Sequence, residues 1–391
     1  MIHGLLNLPW WGYIVAALIF TQITIFGVTI YLHRCQAHRS VELHPVISHF
    51  FRFWLWMTTG METKQWTAIH RKHHAKVETI DDPHSPQVKG IWKIVLEGAE
   101  LYRKECRNKE TMERYGEGTP DDWMERNVYR AHSALGIMIM MAIDLVLFGP
   151  IGLTIWAVQM AWIPFWAAGF INGVGHYVGY RNFECPDASR NIWAWAFIVG
   201  GEELHNNHHT YATSAKFSVK WWEFDIGWMM IRLMQLFGLA KPKRVPPRPK
   251  LLPGKTSVDI GTVKAIMTNR FQLMANYSKT VIMPVLYEER RRAGAAGSAL
   301  LSRMRKLLIR EVSLVDPSDQ QQLVKVLEDY RTLNVVYQFR LTLQNIWARG
   351  TATQKELVES LQEWCRQAEA SGIEALKEFV THLKAYVPAR V

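Results

Sequence analysis

Hydrophobic residues are concentrated in the first 240 positions of the chain, where two long stretches contain almost no charge. The first, residues 10–32, has 23 positions without a formal charge, and a membrane-spanning helix needs about 20. The second, residues 133–180, contains Asp144 as its only charged residue and is divided by Gly149-Pro150. Because a Gly-Pro pair interrupts a helix, this stretch predicts two apolar helices joined by a tight turn, a transmembrane hairpin.

Two shorter apolar segments accompany these stretches. Residues 45–61 are rich in aromatic side chains but carry Arg52, and residues 192–201 are too short to cross a bilayer. Both patterns are typical of segments that lie in the membrane interface. The expected fold class is therefore all-α, an integral membrane helical bundle with about three to four transmembrane helices.

The C-terminal part of the chain has a different composition, because residues 241–391 carry the whole net charge of +11. Prolines and basic residues alternate in 241–250, which cannot form a helix and is predicted to rest against anionic lipid headgroups. We therefore expect a membrane domain over 1–240, a basic linker over 241–255 and a cytoplasmic helical accessory domain over 256–391.

Helix signals are clear in the accessory domain. Ser318 and Gln321 resemble a capping box that opens one long amphipathic helix to about Arg349. Gly350 and Gly372 then separate two further helices. This pattern predicts a helical domain, either a docking module or a helical cap with a basic solvated face.

Nine of the fifteen histidines fall into four short motifs of the membrane domain. One motif is H-x4-H, two are H-x-x-H-H, and one places an asparagine and a histidine at i and i+4, on one face of a helix. The predicted metal site comprises His33, His38, His70, His73, His74, Asn172, His176, His205, His208 and His209. Core packing does not account for such a concentration of imidazoles.

The spacing of the last motif lets one helical turn address two metal ions. His205 lies about 40° from His209 and about 60° from His208, whereas His208 and His209 diverge by about 100°. The H-x4-H residues His33 and His38 would lie about 140° apart on an α-helix. Either the helix ends at this motif or the two side chains approach the predicted metal site from two sides.

The number of imidazoles narrows the choice of metal. Neutral imidazole binds zinc, copper, iron and nickel alike, but a catalytic zinc takes about three protein ligands. Nine imidazoles, with Asn172 holding a water, nearly fill two five- or six-coordinate ions, so two redox-active irons fit best and zinc is the alternative. Acidic residues near the motifs are candidates to orient the second ring nitrogens, and these are Glu62, Asp81, Asp82, Glu202 and Asp225.

Basic residues border the side of the membrane domain that holds the histidines, whereas the first nine positions contain no Lys or Arg. This asymmetry places the histidine motifs in the cytoplasm. The four cysteines show no C-x-x-C spacing, which suits a reducing compartment.

With these motifs in this order, the chain resembles the membrane fatty acyl desaturases of the delta-9, acyl-CoA (stearoyl-CoA) type, over most of residues 20–230. The resemblance extends to Glu78-Thr79-x-x-Asp82-Pro83-His84-Ser85-Pro86, to Gly201-Glu202 and to Trp222-Glu223-Phe224-Asp225. In that family nine histidines and an asparagine-held water bind two irons, which use O2 and two electrons to remove two hydrogens from an unactivated acyl chain. The resemblance implies these roles for the nine histidines and Asn172, in a di-iron cap on the cytoplasmic side of a bacterial inner membrane.

The resemblance also implies the partners. The substrate would be a long-chain acyl group, presented as acyl-CoA or as a phospholipid, and the product would carry a cis double bond at position 9. No haem-binding or rubredoxin-like domain is visible, so a separate ferredoxin-type or flavin/iron–sulfur protein would supply electrons. Glu203 departs from the family pattern by standing where a glycine is usual, and only one span precedes the first motif.

Other functions would share the scaffold or would require different sequence features. A di-iron hydroxylase or oxygenase of alkanes or other lipids would use the same scaffold. A metal transporter would place ionisable ligands along a crossing path, whereas these motifs lie at one surface. Nucleic-acid binding is not expected, because the basic domain lacks a recognisable module. Residues from about 333 to 380 resemble the helical end of some insertion-sequence transposases, but without a visible catalytic carboxylate triad.

Overall fold

The computed structural model describes residues 3–348 and 353–388, and it divides into two compact units. The N-terminal unit comprises Met1–Arg181 and Asp187–Pro246, and the C-terminal unit comprises Asn182–Pro186 and Pro247–Val391. Both units are built mainly of helices, with short two-stranded pairings in the described parts. The predicted all-α class is confirmed to that extent.

The N-terminal unit contains eleven α-helices and four short strands within the described residues. They are α1 (Trp10–Phe26), β1 (Val41–Leu43), α2 (Pro45–Thr59), α3 (Thr63–Lys76), α4 (Pro86–Lys89), α5 (Ile91–Glu105), α6 (Lys109–Tyr115), α7 (Ser133–Phe148), α8 (Gly152–Ile163), α9 (Asn172–Val174), β2 (Trp195–Ala196), α10 (His205–Thr210), β3 (Phe224–Asp225), α11 (Ile226–Leu236) and β4 (Ala240–Pro242). Three π-helices (Gly27–Ala37, Glu125–Tyr129 and Pro164–Ile171) and a 3-10 turn (Gly149–Ile151) connect some of these.

Two helical stretches of this unit are long and apolar enough to cross a membrane, judged by length and composition. They are Trp10–Ala37 with 28 residues and Ser133–Val174 with 42 residues. The second folds back at the 3-10 turn, so α7 and α8 pack against each other as the predicted hairpin. Trp156 Nε1 donates to the carbonyl oxygen of Ile137 (3.2 Å), and Gln159 Nε2 donates to Asp144 Oδ2 (2.7 Å). The expected total of three to four spanning helices stays a prediction.

The first stretch changes its helical form before it ends. After α1, the backbone continues as the π-helix Gly27–Ala37, whose side chains Ile30, Tyr31 and Leu32 are buried in the centre of the unit. A π-helix has hydrogen bonds from residue i to residue i+5, and the last such bond joins the His38 N–H to the His33 carbonyl oxygen at 3.0 Å. The helix therefore ends at the first histidine motif.

The beginning of the predicted basic linker is part of a β-pairing. Strand β4 pairs antiparallel with β1, with Val41 opposite Pro242. Beyond it, the Lys243 N–H donates to the Ser40 carbonyl oxygen (2.8 Å), and Lys243 Nζ lies 2.8 Å from Glu42. The boundary between the two units follows at Pro246.

The C-terminal unit has its own apolar core. Its elements are β5 (Lys250–Leu251), α12 (Ile260–Thr268), α13 (Arg270–Tyr277), a π-helix (Ser278–Ile282), α14 (Met283–Arg292), α15 (Ala295–Ile309), a 3-10 turn (Val312–Leu314), α16 (Pro317–Asp329), α17 (Arg331–Ala348), α18 (Gln354–Ala370), α19 (Glu374–Lys384) and β6 (Tyr386–Val387). Tyr277, Trp364 and Phe379 pack edge to face near the centre of that core.

The single long helix expected from Ser318 is wrong, because the structure contains two helices. Tyr330, with φ −120° and ψ 80°, interrupts the helix between α16 and α17. The predicted capping box is also wrong, since α16 begins at Pro317, which suits the first helical position because it lacks an N–H. Gly372, with φ 75°, does separate α18 from α19 as predicted. Arg349 and Gly350 lie outside the described residues.

Candidate metal centre

All nine predicted histidines come together in the N-terminal unit. His70, His73 and His74 lie on α3, and His205, His208 and His209 on α10. His33 and His38 lie at the end of the π-helix, and His176 lies in the turn after α9. Their ring nitrogens form two groups, each small enough to hold a metal ion.

The first group contains five imidazoles, and we call it the five-histidine group. It consists of His33, His38, His70, His74 and His208, whose ligand atoms all lie within 4.8 Å of one another. The Nε2 of His38 is 3.1 Å from that of His33 and 2.9 Å from that of His70, and the Nε2 of His208 is 3.1 Å from that of His33 and 2.9 Å from that of His74.

The second group contains four imidazoles, and we call it the four-histidine group. It consists of His73, His176, His205 and His209. The Nε2 atoms of His176 and His205 are 3.0 Å apart, and those of His73 and His209 are 3.4 Å apart.

The prediction that one H-x-x-H-H turn addresses two ions agrees with this grouping. His208 points into the five-histidine group and its neighbour His209 into the other. On α3, His74 and His73 divide in the same way. Adjacent residues on a helix diverge by about 100°, which agrees with consecutive histidines lying in different groups.

The H-x4-H pair follows the first of the two alternatives, a helix that ends at the motif. The side chains do not embrace the site from two sides, because the π-helix brings positions five apart nearly into line. The Nε2 atoms of His33 and His38 are therefore only 3.1 Å apart and belong to one group.

The expected i, i+4 relation of Asn172 and His176 on one helical face is wrong, because α9 ends at Val174. The carbonyl oxygen of Gly175 accepts a hydrogen bond from the Arg190 N–H (2.7 Å). His176 therefore reaches its group from a turn. Asn172 lies at the start of α9 and lines two cavities beside the histidines.

Four carboxylates lie against the second ring nitrogen of the histidines. Glu202 Oε1 is 2.6 Å from His33 Nδ1, and the Asp82 carboxylate is 3.0 Å from His73 Nδ1. Glu78 Oε1 lies 3.2 Å from His176 Nδ1, and Asp187 Oδ2 lies 3.4 Å from His209 Nδ1. A carboxylate at Nδ1 places the proton there and leaves the Nε2 lone pair for a metal.

The sequence-based choice of these carboxylates was partly correct. It is confirmed for Asp82 and Glu202, but wrong for Asp225, which forms a bidentate ion pair with Arg34 (3.0 and 3.1 Å). Asp81 is largely exposed near Lys76, and Glu62 lies 3.4 Å from Arg130. Glu78 and Asp187 were missed, because only the fold brings them to the histidines.

The geometry fits metal ions better than it fits a metal-free imidazole cluster. Unprotonated Nε2 atoms about 3 Å apart present lone pairs to one another, which is unfavourable without a cation between them. Imidazole nitrogen binds zinc at about 2.0–2.1 Å, so two nitrogens at adjacent corners of an octahedron with such bonds lie about 3.0 Å apart. The shortest Nε2–Nε2 separations in the two groups, 2.9 and 3.0 Å, are close to that value.

Burial favours the neutral form of six of these imidazoles, the form that metal ligation requires. Desolvation, with a further contribution from neighbouring imidazoles, lowers the pKa of His38 to about 3. It lowers the pKa of His209 to about 4, although the nearby Asp187 carboxylate raises it. The pKa values of His70, His74, His205 and His208 are also lowered well below the ordinary value.

A tenth histidine, His84, also lies at the site. Its ring stacks on that of His73 at 4.3 Å, and together with Asp82 the two form a third group that could hold a metal ion. Its Nε2 is buried without a hydrogen-bond partner among the described residues. The only signal in the sequence is the Asp-Pro-His segment that follows the second histidine motif.

Buried charged groups connect the π-helix to the segments on either side of the motif that contains His205, His208 and His209. The Arg34 guanidinium, fully buried, bonds Asp225 and the Gly200 carbonyl oxygen (3.1 Å) and stacks over Phe217 at 3.7 Å. Glu203, the residue that replaces the usual glycine, is buried and accepts hydrogen bonds from the N–H groups of residues 198, 199 and 201. This departure therefore stabilises the turn that leads into α10.

A cavity with a mixed lining, apolar for the larger part but including Arg103 and Arg107, adjoins the histidines. It has a volume of about 470 Å³ and reaches His70 and Asn172 between walls that include Trp66, Met160 and Ala167. A smaller cavity of about 40 Å³ is lined by His33 and His70 of the five-histidine group and by His205 of the four-histidine group. The cavity can therefore place an apolar ligand next to imidazole nitrogens that could bind a metal.

Comparison with known proteins agrees with this architecture. Residues 8–233, more than half of the chain, match the family model described as fatty acid desaturase, and the chain belongs to that family. Residues 263–389 match a second model, described as transposase.

Individual relatives are desaturases. The chain is 34% identical over 224 residues to an sn-1 stearoyl-lipid 9-desaturase of Synechocystis sp., covering 56% of this chain and 68% of the relative. It is 30% identical over 238 residues to an sn-1 stearoyl-lipid 9-desaturase of Anabaena variabilis, covering 60% and 84%. It is 29% identical to an acyl-CoA 5-desaturase of Anemone leveillei over 61% of this chain and 73% of the relative. The resemblance to delta-9 desaturases is thus confirmed, and the chain is an oxidoreductase of the desaturase type.

Proposed function

We propose that this protein is a membrane-bound, O2-dependent di-iron desaturase that introduces a cis double bond at position 9 of a long-chain acyl group carried by a membrane lipid. The observation that carries the proposal is the convergence of nine imidazoles into one group of five and one group of four. The relatives with 30% identity or more support the lipid-linked substrate, because their names are those of lipid 9-desaturases. An acyl-CoA substrate is the alternative.

The nine histidines would hold the two irons, one in each group, and Asn172 would hold a water beside them. When bound, the irons supply the oxidising power that uses O2 and two electrons to remove hydrogen from the chain. An alkyl C–H bond has no acidic proton, so the imidazoles cannot perform this reaction by acid–base catalysis. The role of the protein side chains is to bind the ions and to position the acyl chain.

The acyl chain would lie along the apolar part of the cavity that reaches His70 and Asn172. Its wall contains Met160, Ile163 and Ala167, which exclude water from the reacting carbons and favour an alkyl chain through burial of apolar surface. The Trp66 ring stacks on His70 at 4.9 Å, and so borders both the chain and the five-histidine group.

The membrane arrangement is part of the proposal. We infer a multi-pass protein of the inner membrane with its metal site and C-terminal unit in the cytoplasm. Lipid substrate would then enter from the bilayer, and electrons would come from a separate ferredoxin-type or flavin/iron–sulfur protein. Two apolar helical stretches support the membrane location.

The test is expression of the full chain in a host without this desaturation, followed by lipid analysis. We expect about two irons per chain and a new double bond at position 9 in the glycerolipid fraction. His208→Ala and His209→Ala should each abolish the product, whereas His132→Ala, an exposed histidine outside the groups, should not.

Each contrary result of this test would point to a different error in the proposal. One iron or fewer per chain after careful reconstitution would contradict the two-ion site. A hydroxylated product would identify an oxygenase, and a product found first as free acyl-CoA would contradict the lipid-linked substrate. Full activity of both histidine variants would show that the motif of His205, His208 and His209 is structural.

A further inference from the structure

Exposed apolar side chains in the C-terminal unit are concentrated around its first strand and first helix. Within the described residues of this unit, seven large apolar side chains are exposed, and four of them lie between positions 251 and 267. They are Leu251 (41% exposed), Leu252 (53%), Ile260 (48%) and Met267 (40%), and we call them the apolar patch. Apolar residues exposed singly are normal on a protein surface, whereas a group of them marks an interaction site.

Helix α12 carries half of the apolar patch on its outer face. The helix buries Val263 and Ile266 in the core of the unit. Ile260, Lys264 and Met267, at positions i, i+4 and i+7, share another face of the helix, and all three side chains are exposed. A helix that faces only water carries polar side chains at such positions, whereas α12 presents an apolar–lysine–apolar stripe.

Strand β5 places the other half of the patch beside α12. Leu251 lies opposite Tyr386 of β6, and the Leu252 N–H donates to the carbonyl oxygen of residue 385 at 2.8 Å. Pro388, directly after β6, has its Cδ 3.4 Å from the position that a Cβ on Gly261 would occupy. The paired strands β5 and β6 therefore lie against the start of α12, and the patch draws on both β5 and α12.

Positive charge accompanies the apolar patch. Residues 247–287 contain six basic residues and one acidic residue, Asp259. Lys255 Nζ lies 2.9 Å from Asp259 Oδ1, so this ion pair compensates the single negative charge. Arg248, Lys250 and Lys264 are exposed, and none of them forms an ion pair within the described part of the chain. This surface therefore suits a partner that is both apolar and anionic.

We propose that the C-terminal unit binds the anionic surface of a lipid bilayer through the apolar patch, while Arg248, Lys250 and Lys264 contact the lipid headgroups. The proposal rests on the membrane location proposed above. The apolar side chains would enter the boundary between headgroups and acyl chains, and each cation would strengthen the attraction to anionic lipid. The lipid contact predicted for residues 241–250 is thereby extended to a folded surface.

The position and the charge of the patch favour a bilayer over other partners. The patch begins at Leu251, only five residues after the end of the unit that contains two stretches apolar enough to span a membrane. An acidic protein would match the cations but would not require exposed Leu252 and Ile260. A second copy of this chain, related by two-fold symmetry, would bring the same cations face to face, and like charges repel each other.

The test uses the full-length protein in lipid nanodiscs of two compositions, phosphatidylcholine alone and phosphatidylcholine with one-third phosphatidylglycerol. The readout is the rate at which hydrogen peroxide, a neutral reagent, oxidises Met267, measured by mass spectrometry with a radical scavenger present. We expect slower oxidation of Met267 in the anionic nanodiscs, because lipid covers the side chain there. Salt at about 1 M, which shortens the screening length to about 3 Å, should restore the faster rate.

Removal of charge tests the role of the cations. Each Lys or Arg close to an anionic membrane changes the ratio of bound to free surface about fivefold. Lys250→Gln combined with Lys264→Gln should therefore lower this ratio about 25-fold and speed the oxidation of Met267 in the anionic nanodiscs. Arg303→Gln combined with Arg305→Gln is the matched control, because it removes the same charge from exposed positions of α15 in the same unit. The control should leave the oxidation rate unchanged.

Removal of apolar surface tests the patch itself. Leu252 and Ile260 are about half exposed, so Leu252→Ser and Ile260→Ser should leave the fold intact. Each variant should lower the ratio of bound to free surface about fivefold, because about half of the burial free energy of one large apolar side chain is lost. Oxidation of Met267 in the anionic nanodiscs should then be faster. Val324→Ser, at a 51% exposed position of α16, is the matched control and should have no effect.

Several results would refute the proposal. Equal oxidation of Met267 in the two lipid compositions would exclude the contact with anionic lipid. Equal protection of Met267 in detergent would show that protein, not lipid, covers the patch. An effect of the α15 control as large as that of the Lys250 and Lys264 pair would refute the choice of surface. A chain that stays in solution without lipid or detergent would instead contradict the membrane location proposed above.

Discussion

Asp82 is the carboxylate on which we expect the second histidine motif to depend most. Its two oxygens lie 3.0 and 3.1 Å from His73 Nδ1, Oδ1 accepts the His84 N–H at 3.0 Å, and Oδ2 accepts the Glu78 N–H at 2.9 Å. Burial by itself raises the pKa of Asp82, but the imidazoles of His73 and His84 hold it well below its usual range. The group is therefore ionised at any working pH.

Asp82→Asn keeps the shape of the side chain but replaces one acceptor oxygen by a donor NH2. One of the two backbone N–H groups, or the His73 Nδ1–H, then loses its acceptor, and an unsatisfied buried donor costs about 1–3 kcal/mol. Loss of such a carboxylate behind a ligating histidine typically weakens metal binding 10- to 100-fold, which corresponds to about 1.4–2.8 kcal/mol. We expect the weakening to fall on the ion of the four-histidine group, to which His73 belongs.

The assay is competition between metal-free, full-length protein and a chromophoric chelator, with Fe(II) under anaerobic conditions. Asp81→Asn is the matched control: it removes the same charge from the preceding position, where the side chain is 60% exposed and lies 3.8 Å from Lys76. The control should bind both ions as the unaltered protein does. Equal affinity of the two variants would refute the reasoning that the Asp82 carboxylate orients His73.

Three further results are expected. Burial lowers the pKa of His38 to about 3 and that of His209 to about 4, whereas the unfolded value is about 6.5, so between pH 6.5 and about 4 only the unfolded chain binds these protons. The free energy of unfolding of metal-free protein should therefore fall by about 3 kcal/mol per pH unit for the pair as the pH decreases through that window, and a flat profile in chemical denaturation would contradict it. Asn172→Ala should strongly lower product formation while iron content stays nearly intact, and loss of both irons would make this residue a scaffold residue instead. Gly98→Ala should lower the free energy of unfolding by about 1–3 kcal/mol, because a Cβ at this position would lie less than 3.0 Å from a backbone carbonyl oxygen. Gly294→Ala is the control and should leave that free energy unchanged, because a Cβ there would have no atom within 4 Å.

The two H-x-x-H-H motifs show where sequence reasoning succeeds. Both lie on helices, α3 and α10, and the division of their histidines between two groups follows from the angle per residue. That angle is a local property of the backbone, so the printed spacing was sufficient to predict it. The prediction failed for Asn172 and His176, because α9 ends between them in a turn stabilised by a hydrogen bond from Arg190.

The carboxylates that contact the histidines show where sequence reasoning fails. Glu78 reaches His176 across 98 positions of the chain, and Asp187 reaches His209 across 22. Neither was chosen from the sequence, whereas Asp225, which was chosen, pairs with Arg34 instead. Proximity in sequence indicates proximity in space only within one element, and these contacts join different elements.

The sequence by itself determined the class of this protein: apolar length for helices that can span a bilayer, nine imidazoles at helical spacings, and a basic C-terminal region with its own helices. These are properties of composition and of one-turn geometry, which local physics sets. The tertiary structure alone decided which histidines of different motifs lie in one group, which carboxylates contact them, and that residues 182–186 belong to the C-terminal unit. Such choices depend on long-range packing, where burying polar groups is tolerated only when distant segments supply their partners.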